Sequence, residues 1–161
     1  CPGSPVMRYE HLLQVTDPAD PRVPPMSRAE LWRGLLVRVE SPQQFPLGPD
    51  RCESRAGAHE RERRRSVHFG ALRFEDTVQL EPERRIVFTP EPHEGAAPVR
   101  LSVTLEEPTP GALFLRFVYE TDDPGSSEDK ALQGYRQQAW LELDREMLRT
   151  LREWQAEGRL A

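Results

Sequence analysis

The chain has 161 residues, 37% apolar and 30% charged, with a formal net charge of −5 and a pI near 5.5. That length suits one domain with a proper core. The acidic balance argues against a general binder of nucleic acid or anionic membrane, and no run of about 18 apolar residues is present to span a bilayer.

No signal-peptide apolar region is present either, so a cytoplasmic location is expected. Residues 1–6 (Cys-Pro-Gly-Ser-Pro-Val) lack periodicity, and Met7 has the character of a natural start. The expectation is a disordered leader or expression remnant at 1–6 and one domain over 7–161. A processed lipoprotein cysteine is the alternative for Cys1. With Cys52 the only other cysteine, no disulfide scaffold is indicated.

Residues 8–15 alternate, with Tyr9, His11, Leu13 and Val15 on one face, as in a half-buried strand. Asp17 to Pro25 holds four prolines and reads as a loop. A helix starts at Ser27, where Ser27 and Glu30 form a capping box and Met26 and Leu31 a hydrophobic staple. Leu31, Trp32, Leu35, Leu36 and Val39 form its apolar face. Ser41-Pro42 ends it, and Pro42 opens a second short helix through Phe45.

Six strands with turn signals follow: 51–56, Arg61–Phe69, Leu72–Leu80, Arg84–Thr89, Val99–Glu106 and Ala112–Thr121. The last is apolar on both faces. From Ser126 to Gly158 a long amphipathic helix is predicted. Leu132, Tyr135, Ala139, Leu143, Met147, Leu151 and Trp154 form its stripe, and Trp140 and Leu148 widen it. Ser126 with Asp129 caps its start, and Gly158 stops it. Short connections imply antiparallel hairpins. The fold class is therefore α+β: a seven-stranded curved antiparallel sheet wrapped around the long C-terminal helix, with two short helices after strand 1. A seven-stranded barrel capped by that helix is the alternative, but it has no natural place for the helix pair.

This order of elements resembles the helix-grip fold of the START-like (SRPBCC) superfamily, which includes polyketide cyclases and lipid-transfer domains. Within it, the sequence is similar to the AtaL-like family of unknown function. The resemblance rests on Met7-Arg8-Tyr9-Glu10-His11 with Asp17-Pro18, and on Ser27 to Leu35 ending in Leu31-Trp32-Arg33-Gly34-Leu35. His68-Phe69-Gly70 with Asp76 and Val78, and Phe117-Val118-Tyr119-Glu120-Thr121, complete it. It covers nearly the whole chain from Met7. It implies a cavity between sheet and helix for an apolar ligand, and no shared catalytic set.

The pocket is expected to be lined by Trp32, Phe74, Asp76, Arg116, Tyr119, Tyr135, Ala139 and Leu143. Asp76 shares a strand face with Phe74, Val78 and Leu80, where a carboxylate must be paired or wet. It is either a pocket acid, able to act as general base or ligand anchor, or a structural carboxylate paired with Arg65 or Arg116. His11 is either a hydrogen-bonded core residue or a pocket proton carrier. Arg116 and Glu120 share one face of the last strand and Tyr119 the other. Either face can be concave.

Residues 59–65 are basic, but interleaved glutamates and the lack of a stacking platform mark a solvated hairpin. No histidine or cysteine spacing suits a metal, and no phosphate loop or nucleophile elbow occurs, so no metal or cofactor is expected. Three readings follow. The first is a binding protein for a hydrophobic or aromatic small molecule, monomeric or homodimeric. The second is a polyketide cyclase- or dehydratase-like enzyme using Asp76 or His11, and the third a non-catalytic interaction module.

Overall fold

The computed structural model describes residues 7–95, 97–122 and 130–161. The expected leader at 1–6, the turn at Pro124-Gly125 and the cap at Ser126 and Asp129 lie outside the described residues. Strand β1 (Met7–Thr16) leads to helix α1 (Arg28–Glu40) and a single 3₁₀ turn (Pro42–Gln44). Strands β2 (Arg51–Ala56), β3 (Glu62–Phe69), β4 (Leu72–Glu81), β5 (Arg85–Pro90), β6 (Arg100–Thr109) and β7 (Ala112–Thr121) follow. The described part of the last helix, α2, runs Lys130–Ala156.

The strands form one antiparallel sheet in the order β1-β7-β6-β5-β4-β3-β2. Only the β1–β7 neighbours are distant in sequence. The segment carrying α1 and the 3₁₀ turn therefore takes the chain from one sheet edge to the other. This is the helix-grip arrangement expected from the sequence. Strand β6 runs beyond its predicted end, through Pro108 to Thr109. Its register shifts between Glu106 and Thr109, where proline has no N–H to give the ladder.

The inner sheet face presents Val78, Ile86, Val103, Leu115 and Phe117, all nearly inaccessible, to Leu31, Leu35 and Val39 of α1 and Leu151 and Trp154 of α2. Each such side chain contributes about 1.5–3 kcal/mol by leaving water. The capping box of α1 forms as expected, with Glu30 N 3.1 Å from Ser27 Oγ and Ser27 N 3.0 Å from Glu30 Oε1. Helix α2 stops at Gly158, whose φ of +74° favours glycine. There Arg159 N donates to Trp154 O at 2.8 Å and Gly158 N to Gln155 O at 3.0 Å, which satisfies two carbonyls of the last turn. No helix among the described residues is long and apolar enough to cross a membrane.

Two helical glycines play opposite roles. A Cβ on Gly34 would lie 2.5 Å from Leu151 Cδ2, and Leu151 is fully buried, so α1 and α2 approach closely only because Gly34 lacks a side chain. A Cβ on Gly134 of α2 would meet nothing within 4 Å among the described residues beyond the helix's own backbone. Gly34→Val is therefore expected to lower stability by about 2–3 kcal/mol through overpacking. Gly134→Ala should raise it by about 0.5–1 kcal/mol through helix propensity. Urea unfolding of the two variants measures both.

Candidate functional site: a buried carboxylate cluster beside an apolar cleft

A carboxylate at the centre of the helix–sheet interface organises the site. Asp144 lies on the inner side of α2 with no exposure at all. A buried charge of this kind survives only when its partners converge on it. They come from three other elements. His11 of β1 places Nε2 2.8 Å from Asp144 Oδ2. Tyr119 of β7 donates its hydroxyl to the same oxygen at 2.6 Å. Arg38 of α1 brings Nη2 within 3.0 Å of Oδ1, an ion pair by distance that lies off the line of a hydrogen bond. A carboxylate only accepts, so the His11 hydrogen sits on Nε2. Among the described residues its buried Nδ1 has no hydrogen-bond partner, and neither has the buried Nη1 of Arg38.

Burial, and then the negative charge of Asp144, push the Tyr119 phenol far above its ordinary pKa, and Arg38 counteracts them only in part. Burial opposes the charge on Arg38, but Asp144 more than offsets this and raises the guanidinium above its usual value. Aromatic rings hold the cluster in place. His11 stacks on Phe117 with centroids 4.6 Å apart. Tyr119 lies almost parallel to Trp140 of α2, at 4.2 Å and 3°.

Beside the cluster a cleft of about 370 Å³ runs between the inner faces of β3–β7 and the helical elements. Its walls are mostly apolar, with Phe74, Phe88, Leu101, Trp140 and Leu143 prominent. Tyr119 and Arg38 belong to both cleft and cluster. A smaller apolar recess of about 100 Å³, lined by Phe45, Leu47 and Met147 among others, shares Arg38, Phe69 and Leu143 with it.

Asp76 also lines the cleft, but both its oxygens are engaged by Arg65, at 2.8 Å from Nε and 2.6 Å from Nη2. Arg65 Nη1 donates in turn to Val39 O at 2.9 Å and Arg38 O at 3.2 Å. The pair therefore clamps β3 and β4 to the end of α1. Among the described residues, no group of three His, Cys, Asp or Glu side chains is placed to hold a metal.

Of the residues expected in the pocket, Phe74, Asp76, Tyr119 and Leu143 line the cleft. The other four lie elsewhere. Trp32 is part of the closed core. Arg116 stands on the outer sheet face, bonded to Glu106 at 2.5 Å and to Glu10, because strand alternation puts it opposite Phe117 and Tyr119. Tyr135 is 75% exposed, and Ala139 is exposed as well. Helix phase explains these two. At 3.6 residues per turn each four-residue step drifts about 40°, so Tyr135 stands roughly 160° from Leu151 around the helix. Trp140 and Asp144 both fall within about 20° of Leu151 by the same count. Sequence reasoning thus passed over Asp144 and Arg38. The detectable signal was a carboxylate on the buried line of α2.

Two of its features define the class of this protein: the open sheet gripping a C-terminal helix, and a cleft between them. An aromatase/cyclase (Zhui) from Streptomyces sp. R1128 superposes over 92% of this chain and 94% of its own, with a TM-score of 0.62 and 12% identity. The Aha1 dimer from Colwellia psychrerythraea gives a TM-score of 0.61 at 12% identity, over 91% of this chain and 96% of that one. At such identities the likeness concerns the fold alone. At the level of sequence, the family model of "Acetylaranotin biosynthesis cluster protein L" matches residues 13–158, and the chain belongs to that family. Acetylaranotin biosynthesis cluster protein L of Aspergillus terreus is 28% identical over 148 residues, which cover 88% of this chain and 86% of that one.

Two expectations follow from the cluster. Asp144→Ala leaves Arg38 buried without its counter-charge and should cost about 3–5 kcal/mol, read from denaturant unfolding. The second concerns alkaline pH. The folded-state pKa of Tyr119 is raised above the unfolded value of about 10, so its contribution to stability is complete below that pH and is lost above it. Unfolding free energy should fall from about pH 10 upward by as much as ~1.4 kcal/mol per pH unit from this group. Tyr119→Phe should flatten that slope, and in wild-type protein the absorbance change of tyrosine ionisation near pH 10 should lack the Tyr119 contribution.

Proposed function

We propose that the protein binds an apolar or aromatic small molecule in the cleft between the sheet and α2. The single observation that carries this reading is the cleft itself. Its volume of about 370 Å³ is within the usual range for small-molecule sites, about 300–1,000 Å³, and its walls are aromatic and aliphatic with a few convergent polar groups. Stacking surfaces are present in Phe74, Phe88 and Trp140, which suit a flat ring system. A purely structural or partner-docking module has no need of such a space.

A second reading, an enzyme of polyketide cyclase or dehydratase type, is favoured by one specific arrangement. The hydrogen bonds from His11 and Tyr119 meet on one Asp144 oxygen, and Tyr119 forms part of the cleft wall. The hydroxyl of a residue that lines the cleft is thus joined through Asp144 to the His11 imidazole, a chain of groups of the kind general acid–base chemistry uses. Asp76, with both oxygens on Arg65, is the less available proton acceptor. In this reading Tyr119→Phe abolishes turnover and leaves ligand affinity within about threefold.

The binding reading is tested by occupying the cleft from within. Leu143 lines both the cleft and the adjoining recess, and Leu143→Trp fills that space with indole. Calorimetric titration with a panel of two- and three-ring aromatic compounds should show binding to wild type and a loss of at least tenfold in the variant, with circular dichroism unchanged. Equal affinity in both proteins places the ligand elsewhere and overturns the reading.

A further inference from the structure

Among the described residues, three charged side chains line the cleft: Arg38, Arg65 and Asp76. Arg65 and Asp76 satisfy one another through two hydrogen bonds, and the remaining Arg65 donor is spent on carbonyls of α1. Arg38 differs. Its counter-ion Asp144 is not part of the cleft lining, and that carboxylate is already shared with His11 and Tyr119. One arm of the Arg38 guanidinium, Nη1, has no acceptor among the described residues and is cut off from solvent. The cleft lining by itself therefore carries one more positive than negative charge, in a protein whose net charge is −5.

An unmatched guanidinium donor at an apolar site is costly unless an acceptor reaches it. Guanidinium also pairs more strongly with an ionised oxygen than with a neutral one. Around it, the rings of Phe88 and Phe117 each lie 5.9 Å from the guanidinium carbon, so little water competes for the charge. Resting on the cleft as the binding site, we infer that the ligand class is an aromatic anion: a flat apolar frame bearing one ionised oxygen, carboxylate or phenolate, that meets Arg38 at the cleft wall and draws its sealed Nη1 arm round to it. Arg65 is not the anchor, because Asp76, itself part of the cleft lining, neutralises it there. Asp144 acts as a positioning residue that holds Arg38 at the cleft wall.

Calorimetry on the full chain with three probes of similar size tests this: 2-naphthoate and 2,4-dinitro-1-naphtholate, both anionic at neutral pH, and neutral 2-naphthamide. At least one anion should bind wild type tenfold or more tighter than the amide, and which anion does so separates carboxylate from phenolate. Arg38→Lys retains a cation against Asp144 but loses the forked donor, and should bring anion and amide within about threefold. Should that variant fail to fold, Arg38→Met combined with Asp144→Asn removes both charges together and should give the same result. An amide that binds wild type as tightly as both anions overturns the anion assignment and leaves the cleft as a binding site. A preference that survives in a folded Arg38 variant overturns the assignment to Arg38. If none of the three probes binds, both the anion assignment and the cleft reading fall.

Discussion

The seating of the two helices on the sheet depends on the carboxylate of Asp144. It sits where α2, α1, β1 and β7 meet, and each contributes one group to it. An ion buried this deeply costs several kcal/mol in desolvation, which its partners offset only when all are in place. The cluster therefore selects one arrangement of the two helices on the sheet. The buried cluster that includes Leu31, Leu115 and Leu151 supplies most of the driving force but tolerates sliding. The polar contacts have no such tolerance, since a misplaced Tyr119 or Arg38 leaves a charge unpaired.

That same requirement shapes the cleft. Between Trp140 and the C-terminal end of α2 the helix is held tightly, by Gly34 meeting Leu151 and by Arg152 donating to Val15 O at 2.8 Å. Residues Leu132 and Tyr135, one to two turns before Trp140, are exposed at 64% and 75%. Trp140 and Leu143, which line the cleft, stand at the N-terminal side of this tightly held stretch. Tyr119 and Trp140, stacked face to face, mark the boundary between closed core and open space. Core and site are two ends of one interface, separated by the polar cluster.

Most of the fold is legible in the sequence. Period-two alternation, proline punctuation and the Ser27–Glu30 box are local signals, and each maps onto an observed element. The apolar faces of β1 and β4 follow from alternation, which is why Phe74 and Asp76 are legible as cleft residues. The site was read less well for two physical reasons. A helix stripe followed by four-residue steps drifts around the axis, and this carried attention to Tyr135 and Ala139 rather than to Asp144. The choice of concave face for β7 depends on which side α2 covers, a long-range fact, and without it Arg116 and Tyr119 were equivalent. Arg38 carried no local signal at all, because an arginine near the end of a helix is ordinary.

The two arginines at the cleft show how identical side chains come to differ in chemical availability. Arg65 is bound on every side, with Asp76 across the sheet and Val39 O and Arg38 O above it, and its guanidinium lies 5.1 Å from the Phe88 ring. It is a structural clamp, and its charge is cancelled within the cleft. Arg38 is paired with a carboxylate that is outside the cleft lining and also accepts from His11 and Tyr119. Its charge is fixed in position without being fully satisfied. Pre-organised, incompletely matched polar groups in apolar surroundings are what a binding site has and a folding core avoids. The difference lies in where the counter-charge sits rather than in the arginine itself, and that difference makes the α1 side of the cleft the chemically receptive one.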